Sequence, residues 1–517
     1  MNRFLIQRNQ TLFILSLIIF VGIFLRVYNL GKQSIWLDEA CVYSRAQKSV
    51  SELWSGQITE SNPPLYDILF HFYLKNADKN DEFRIRFLSA IFGILLIPLA
   101  FIAGKHIFNR KAGLFCSLLV ALSPNHIYYS QDAKMYTFFS LLSLISFFFY
   151  YLSLEKGKII YWAGYSLATI SLIYCHNYGI LLFFAQIVIY AFLYRKSPKN
   201  LSNFFLSQLI IISTFIPRIS YYYYQLSIDQ NPWIPAPRLI DFFRSFMHFS
   251  LLSWHMPFTR NVIMLLAVIL PIYAFLFGAA VFAKNRVADN KNRCFSDYDK
   301  TVFLSCYLFI PLLAAFLFSF KKPIYLAGRF DMGVFPAFCL IASFGWDKIK
   351  KMCTRNILLA IVVITSLLYL PNYYSVFIKS NDRVVASYIQ KNMGKEDVLV
   401  FTDSSLPPFR YYWKQDYAPK MFSFPLDYCV WLPRDALDCK EGYVAGELAK
   451  LKDKLQPLIT KNNRLWVMYY NMKINQRLIE ELKRDYLLLD RVGFTTGSSK
   501  ENQVTDIYIF QRKYAKQ

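Results

Sequence analysis

The chain has 517 residues, of which 55% are hydrophobic and 18% aromatic, and it carries a formal net charge of +24. Soluble enzymes of this length usually contain more charged residues and far fewer aromatic ones than the 48 Phe and 37 Tyr found here, so the composition indicates contact with lipid. The Lys and Arg residues lie in short loops between apolar runs. This distribution orients membrane proteins, so the positive charge does not indicate a nucleic-acid-binding protein.

Apolar runs recur along the first 371 residues. A helical membrane span requires about 20 apolar residues. The sequence predicts eleven spans, of which the third is short, at 11–28, 87–104, 112–123, 135–152, 160–175, 178–194, 204–220, 261–283, 301–320, 329–345 and 356–371. The first run is too long for a removable signal peptide and lacks a cleavage-site pattern, so we interpret it as a span.

The basic clusters between the spans predict the orientation. Six clusters of Lys and Arg, from Arg3 to Arg355, fall on one side of the predicted spans. That side is expected to be the cytoplasm, which also contains the N-terminus. An odd number of spans then places the residues after 371 outside.

The first external loop, 29–86, contains two adjacent carboxylates. Asp38 and Glu39 lie in "SIWLDEACVYS", and the later "NPPLYDILFHFYLK" predicts a turn followed by a helix along the membrane surface. A carboxylate here can serve as a general base for an acceptor hydroxyl. We expect Asp38 to be the base and Glu39 to support it. The alternative is that the pair only begins a solvated helix.

The next external turn reads "SPNHIYYSQDAKMYTFF". Ser130 is a predicted N-cap, which places Asp132 in the first turn of the following span, on the same helical face as Tyr136. An acid at this position can be catalytic. It can also simply stabilise the helix N-terminus electrostatically.

External cations suggest a site for a lipid phosphate. The turn "KKPIYLAGRF" carries basic residues on the side where the orientation rule does not require them. The predicted phosphate ligands are Arg329, Lys134 and Arg86, with hydrogen bonds from His176. The alternatives are that Arg329 anchors a span at the lipid headgroups and that His176 is a structural residue.

Five blocks of the sequence carry a family resemblance. They are "WLDEA", "NPPLYDILFHFYLK", "RIRFLSAIFG", "SPNHIYYSQDAKMY" and "PIYLAGRF". Their order and spacing over roughly residues 10–345 resemble bacterial GT-C glycosyltransferases of the family 39 type. This branch includes protein O-mannosyltransferases, lipid A aminoarabinose transferases and lipopolysaccharide-core galacturonosyltransferases.

The resemblance implies an integral membrane enzyme with a GT-C fold. Such an enzyme transfers a hexose or pentose from a polyprenyl-phosphate donor on the external face of the bacterial inner membrane, to a glycan, a lipid or a protein. The family's acid pair matches Asp38 and Glu39, of which the first is held to be catalytic, and its second acid matches Asp132. The predicted substrate-binding residues are Asn62, Tyr66 and Tyr136.

This chain departs from the family pattern at three positions. Asn62 stands where relatives often have His, Lys134 where they have Arg, and Phe330 where they commonly have Tyr. Asn62 and Lys134 keep hydrogen-bonding or charged character, so we expect an altered fit to the donor before a loss of activity.

The same features also permit other interpretations. A metal site at Asp38 and Glu39 is not favoured, because adjacent residues on a helix point apart and no third ligand is evident, so no cofactor is expected. A transporter or flippase of lipid-linked saccharides is the alternative function, but it should show internal repeats or charges deep in the spans. Eleven spans exceed what the anchor of a receptor-like protein requires.

The tail, 372–517, changes character and predicts a small extracytoplasmic α/β domain after the transmembrane domain at 1–371. Runs such as "DVLVFTD" and "RLWVMYY" indicate strands, and "NQRLIEELKR" indicates a helix. Acceptor recognition and a purely stabilising role are equally compatible with it. Cys429 and Cys439 can form a disulfide there. The external segment 230–258 is predicted to be a lid or a surface helix.

Overall fold

The residues of the chain form two compact units. The first contains the described residues of Met1–Leu30, Lys48–Ile228 and Ile234–Ser375, and the second those of Gly31–Gln47 and Val376–Gln517. The structure, a computed structural model, describes residues 2–55, 62–75, 81–193, 200–227, 234–251, 260–281, 295–375, 379–402, 405–417, 419–425, 440–460, 462–470, 473–495 and 504–513. Cys429 and Cys439 lie outside these ranges.

Within the described residues, the regular secondary structure of the first unit is all helical. Numbered in chain order, its helices are α1 Asn2–Val27, α3 Val50–Ser55, α4 Leu65–Lys75, α5 Glu82–Ile107, α6 Arg110–Leu122, α7 Pro124–Ser130, α8 Tyr136–Lys156, α9 Ile159–Cys175, α10 Gly179–Leu193, α11 Leu201–Phe215, α12 Ile219–Ser227, α13 Leu239–Ser250, α14 Arg260–Val281, α15 Asp297–Phe318, α16 Phe335–Lys348 and α17 Met352–Ser375. Two 3₁₀ turns, Ile216–Arg218 and Phe330–Val334, adjoin α11 and α16.

All eleven predicted apolar runs coincide with helices. In the described part of the chain, seven helices are long and apolar enough to cross a membrane: α1, α5, α8, α11 with its continuation to Tyr221, α14, α15 and α17. The other four runs form α6, α9, α10 and α16, which have 13 to 17 residues. At 1.5 Å per residue these are shorter than a bilayer core of about 30 Å.

The two shortest of these helices, α16 and α6, are apolar because other helices enclose them. Every residue of α16 from Phe335 to Trp346 is buried, and most of α6 is buried as well. A helix that is apolar on all sides is expected inside a helical bundle as well as in lipid. Apolar composition alone therefore does not distinguish a buried helix from a lipid-facing span.

Helix α8 lies at the centre of the first unit. In the most apolar stretch of this helix, 83% of the residues are buried, whereas the share is 22% to 50% in the other six candidate spans. It packs against α5 and α9. Gly157 ends α8 in a left-handed conformation with φ 67°, which glycine adopts without the steric cost of a Cβ atom. The N-terminus of this central helix carries Tyr136.

The predicted capping of α8 is wrong. Ser130 is the last residue of α7, and its hydroxyl donates to the His126 carbonyl at 2.7 Å. The N-cap in this block is Ser123, whose Oγ accepts the His126 amide at 3.3 Å, with Pro124 at the first helical position. A Ser-Pro pair is the stronger start signal, because Pro lacks only an N–H that would have no intrahelical partner. Asp132 therefore lies in the turn between α7 and α8.

The second unit is an α/β structure, as predicted. Its five-stranded sheet has the order β2-β1-β3-β5-β4, with β2, β1 and β3 parallel and β5 antiparallel to both β3 and β4. Its strands and helices are β1 Val398–Thr402, β2 Lys420–Phe424, β3 Leu465–Tyr470, β4 Tyr486–Thr495, β5 Val504–Arg512, α2 Leu37–Ala46, α18 Asp382–Asn392, α19 Leu406–Tyr412, α20 Glu441–Leu455 and α21 Lys473–Asp485. Leu451 of α20 and Leu478 of α21 pack on Val398 and Val467 of the sheet.

Packing also places part of the first predicted loop in the second unit. Residues Gly31–Gln47, which carry Asp38 and Glu39, group with the tail, whereas α3 and α4 group with the first unit. The stretch after the Pro-Pro pair is helical, as α4. Within the segment 230–258, which is predicted to be external, the described part contains helix α13.

Candidate functional site

The site in the first unit is organised around a contact between two predicted residues. Arg329 Nε donates to the Tyr136 hydroxyl at 2.7 Å. The guanidinium carbon also lies 5.5 Å from the centroid of the Tyr136 ring. Both side chains are buried. The first residue of α8 therefore holds the Arg329 cation through a hydrogen bond and a cation–π contact.

His176, directly after α9, is a neutral hydrogen-bond donor. Its Nδ1 accepts the Tyr178 backbone N–H at 3.0 Å, so the ring proton is on Nε2. Within the part of the chain that the structure describes, buried Nε2 has no hydrogen-bond partner. Burial, and after it the charges of Arg329 and Lys134, lower the pKa of His176 to about 3. The imidazole therefore offers one N–H beside two cations.

Aromatic rings surround His176. Its ring centroid lies 4.8 Å from that of Phe139, 5.6 Å from that of Phe330 and 6.0 Å from that of Tyr136. These rings exclude water, and in a water-poor environment charges interact more strongly. Phe330 contributes an apolar ring here, tilted by 56° to the imidazole.

Lys134 and Asp132 lie in the turn between α7 and α8. Ser89 of α5 fixes this turn, because its Oγ donates to the Lys134 carbonyl at 3.0 Å and is 2.7 Å from the Tyr66 hydroxyl. The Lys134 side chain is buried, as is that of Asp132. Burial, with Asp132 among the smaller causes, raises the pKa of Tyr66. The fold thus brings Tyr66, Asp132 and Lys134 together.

Tyr129 also lies in this cluster, although no sequence pattern marks it as a site residue. Its ring centroid is 4.7 Å from that of Tyr136. The Tyr129 hydroxyl is buried, and the described residues give it no hydrogen-bond partner. A Tyr pair near a span end is typical of the interfacial aromatic belt, so its sequence position gave no signal of a role in a site.

The backbone around Arg329 is held by residues that no sequence pattern marks as part of a site. Gly328 has φ 73°, and a Cβ atom there would lie 2.3 Å from His248 of α13. Asn125 Nδ2 donates to the Gly328 carbonyl at 2.8 Å. The Ser245 hydroxyl, also on α13, donates to the Asp331 carboxylate. Helices α7 and α13 therefore fix the backbone on both sides of Arg329.

Two further predicted site residues, Arg86 and Asn62, have surroundings that differ from those of the Arg329 cluster. Arg86 of α5 is buried, and its NH1 atom donates to the Leu30 carbonyl at 3.0 Å, which ties the segment after α1 to α5. Asn62 is half-buried, three residues before α4 begins. Phosphate binding by Arg86 and substrate binding by Asn62 remain predictions.

In the second unit, the acid pair occupies the first turn of α2. Both Asp38 and Glu39 are buried. Glu39 Oε1 lies 3.0 Å from Lys379 Nζ, and the two side chains are 0% and 3% exposed. This buried ion pair gives Glu39 a partner in the tail. The catalytic role of Asp38 remains a prediction.

The tail also holds the backbone that leads into α2. Arg383 NH2 donates to the Gly31 and Gln33 carbonyls, each at 3.2 Å. The Ile35 amide donates to the Tyr412 hydroxyl at 2.7 Å. The second unit thereby fixes the start of the acidic helix. Among the described residues, no group of three His, Cys, Asp or Glu side chains is arranged to hold a metal ion.

Comparison with known sequences gives two partial matches. The model of the dolichyl-phosphate-mannose-protein mannosyltransferase family matches residues 61–221. An uncharacterised protein of Aquifex aeolicus strain VF5 is 23% identical over 197 residues, which are 36% of this chain. The matched region covers 38% of that relative's length.

Solved structures resemble most or nearly all of the chain. ArnT from Cupriavidus metallidurans, bound to undecaprenyl phosphate, has a TM-score of 0.59 at 11% identity, over 97% of this chain and 98% of that one. The Archaeoglobus fulgidus oligosaccharyltransferase has a TM-score of 0.51 at 10% identity, over 89% of this chain and 69% of that one. Such identities show a shared fold. The chain therefore has the GT-C fold of membrane glycosyltransferases, with a C-terminal α/β unit.

Proposed function

We propose that the protein is a membrane glycosyltransferase that moves a hexose or pentose from a polyprenyl-phosphate donor to an acceptor hydroxyl. The acceptor is a glycan, a lipid or a protein. The fold supports this class of reaction, and undecaprenyl phosphate is bound in the ArnT structure that the chain resembles. The predicted orientation places the reaction on the external face of a bacterial inner membrane, with the second unit on that side.

The main support for the proposal is that two cations and a hydrogen-bond donor group act at one buried position. The charges of Arg329 and Lys134 both act on His176, whose Nε2 offers a proton to an acceptor. A phosphate has several acceptor oxygens and a negative charge, so it complements two cations and an N–H group. The same groups would stabilise the charge that grows on the departing lipid phosphate, which is usually a large part of catalysis.

The proposed reaction is a single displacement with inversion. Asp38 takes the proton of the acceptor hydroxyl as the oxygen forms a bond to the anomeric carbon, and the bond from that carbon to the phosphate oxygen breaks. Glu39 keeps α2 in place through Lys379. Asp132 orients the sugar or the acceptor, while Asn62 and Tyr66 contribute hydrogen bonds to them. Arg86 and Tyr136 complete the phosphate site, and no cofactor takes part.

A transfer assay tests the proposal. Purified protein is supplied with a panel of labelled sugars on a short polyprenyl phosphate, and with membrane lipid, glycan and protein acceptors. We expect wild-type protein to transfer at least one sugar, Asp38→Asn to lose activity by about 10²-fold or more, and the exposed Asp416→Asn control to match wild type. Full activity of Asp38→Asn would refute the base assignment. Absence of transfer from every donor would contradict the function.

A further inference from the structure

Arg218 is a buried cation outside the site described above. It ends the 3₁₀ turn Ile216–Arg218, within the apolar stretch Leu201–Tyr221. The residue is only 7% exposed. Ionisable residues in such stretches are costly and usually mark functional positions.

The environment of Arg218 is aromatic. Its guanidinium carbon is 4.3 Å from the Tyr221 ring centroid and 5.9 Å from that of Tyr174. The Tyr174 hydroxyl donates to the Thr214 carbonyl at 2.6 Å, which fixes this ring. Trp54, 53% exposed, stacks on Tyr174 with centroids 5.6 Å apart. These rings orient the cation, but they carry no net charge and do not neutralise it.

The described residues provide Arg218 with no carboxylate and no hydrogen-bond acceptor. Its Nε is buried and has no partner there. A buried charge without a counter-charge is strongly destabilising, so its retention indicates that an anion binds to it. The planar guanidinium matches the oxygens of a phosphate.

The position of Arg218 identifies the source of that phosphate. It lies near the end of an apolar helical stretch, and it contacts Tyr174, two residues before His176 at the same end of α9. Phospholipid headgroups meet protein at such helix ends, where Trp and Tyr rings are also enriched. We infer that Arg218, Tyr174, Tyr221 and Trp54 form a binding site for the phosphate of an anionic phospholipid headgroup. This inference does not depend on the proposed glycosyl transfer.

Native mass spectrometry of the full-length protein tests the inference. The protein is released from nanodiscs of phosphatidylcholine with a minor fraction of phosphatidylglycerol, and the retained phosphatidylglycerol is measured. We expect Arg218→Gln to weaken retention about tenfold or more, as for loss of a charge-assisted hydrogen bond, and Arg218→Lys to keep part of it. Arg238→Gln is the control, because it removes the same charge from a side chain that is 69% exposed.

Two further arms separate the possible outcomes. Inorganic phosphate at rising concentration should not displace the lipid from wild-type protein; displacement by phosphate alone would show a site for free phosphate instead. Tyr221→Leu should weaken retention because it removes the nearer ring. Equal retention by wild type, Arg218→Gln and Arg238→Gln in folded protein, judged by matching thermal unfolding, would overturn the inference.

Discussion

His176 shows how a local hydrogen bond decides the chemistry of a residue. The Tyr178 amide occupies Nδ1, and burial together with two neighbouring cations disfavours a second proton on the ring. The imidazole is therefore suited to donate to an anion and not to act as a charged group. A lone His at a helix end gives no sign of this in the sequence, because the decisive partners come from residues far away in the chain.

The low pKa of His176 makes stability depend on pH. In the folded protein this pKa is about 3, whereas an unfolded His titrates near about 6.5. As pH falls below about 6.5, only the unfolded state gains this proton, so the free energy of unfolding should decrease by up to about 1.4 kcal/mol per pH unit. His176→Gln should reduce that slope between about pH 7 and pH 5. Thermal unfolding measures it, with His71→Gln as the control; identical slopes for wild type and His176→Gln would contradict the assignment.

We expect Arg329 and Tyr136 to act together in binding the sugar donor. We expect Arg329→Gln to reduce transfer at limiting donor by about 10²-fold, and Tyr136→Phe by about tenfold, because the phenol positions the guanidinium through one charge-assisted hydrogen bond. Initial rates at several donor concentrations check this, with the exposed Arg410→Gln as the control. The interpretation fails if Arg329→Gln keeps the wild-type apparent affinity for the donor.

At the scale of elements, the turn between α15 and α16 depends on Gly328. Its φ of 73° disfavours a side chain, and a Cβ atom would collide with His248. Gly328→Ala should lower stability by about 1–2 kcal/mol and weaken donor binding, since Arg329 is the next residue. Gly446→Ala is the control, because a Cβ atom there meets nothing within 4 Å; in the helix interior it should stabilise by about 0.5–1 kcal/mol. Unchanged donor binding in Gly328→Ala would show that the turn does not position Arg329.

The acidic helix α2 depends on Lys379. Lys379→Met leaves the Glu39 carboxylate buried without this partner, so we expect a loss of about 3–5 kcal/mol of stability. The double variant Lys379→Met with Glu39→Gln should recover most of that loss, because no charge then remains buried. Thermal unfolding of the three proteins distinguishes this from a surface effect. A double variant no more stable than Lys379→Met would contradict the coupling.

The local sequence pattern predicted where helices and strands lie better than it predicted where they begin and end. Each of the eleven apolar runs coincides with a helix, because apolar composition is needed both in lipid and inside the bundle. The same property prevented the sequence from showing that α6 and α16 are enclosed by other helices. Ser130 was misassigned because a Ser before a polar turn resembles an N-cap, whereas Ser123 and Pro124 begin the helix in this block.

At the scale of the whole molecule, the sequence predicted the fold and several residues that packing brings together. Sequence blocks that lie far apart in the chain contain Tyr66, Asp132, Lys134, Tyr136 and Arg329, and packing brings these residues together in the first unit. Other groups could not be found, since they act through long-range contacts. Ser89, Asn125 and Ser245 are ordinary polar residues on helices, and Lys379 appears as one more basic residue of the tail until its contact with Glu39 is seen.

The most direct test of the central claim is an experimental structure of the protein with undecaprenyl phosphate bound. We predict that the phosphate lies within hydrogen-bonding distance of the Arg329 guanidinium and His176 Nε2, with Lys134 Nζ beside it. A lipid phosphate bound at full occupancy elsewhere, with the Arg329, Lys134 and His176 side chains unchanged and remote from it, would contradict the assignment of this cluster as the donor site.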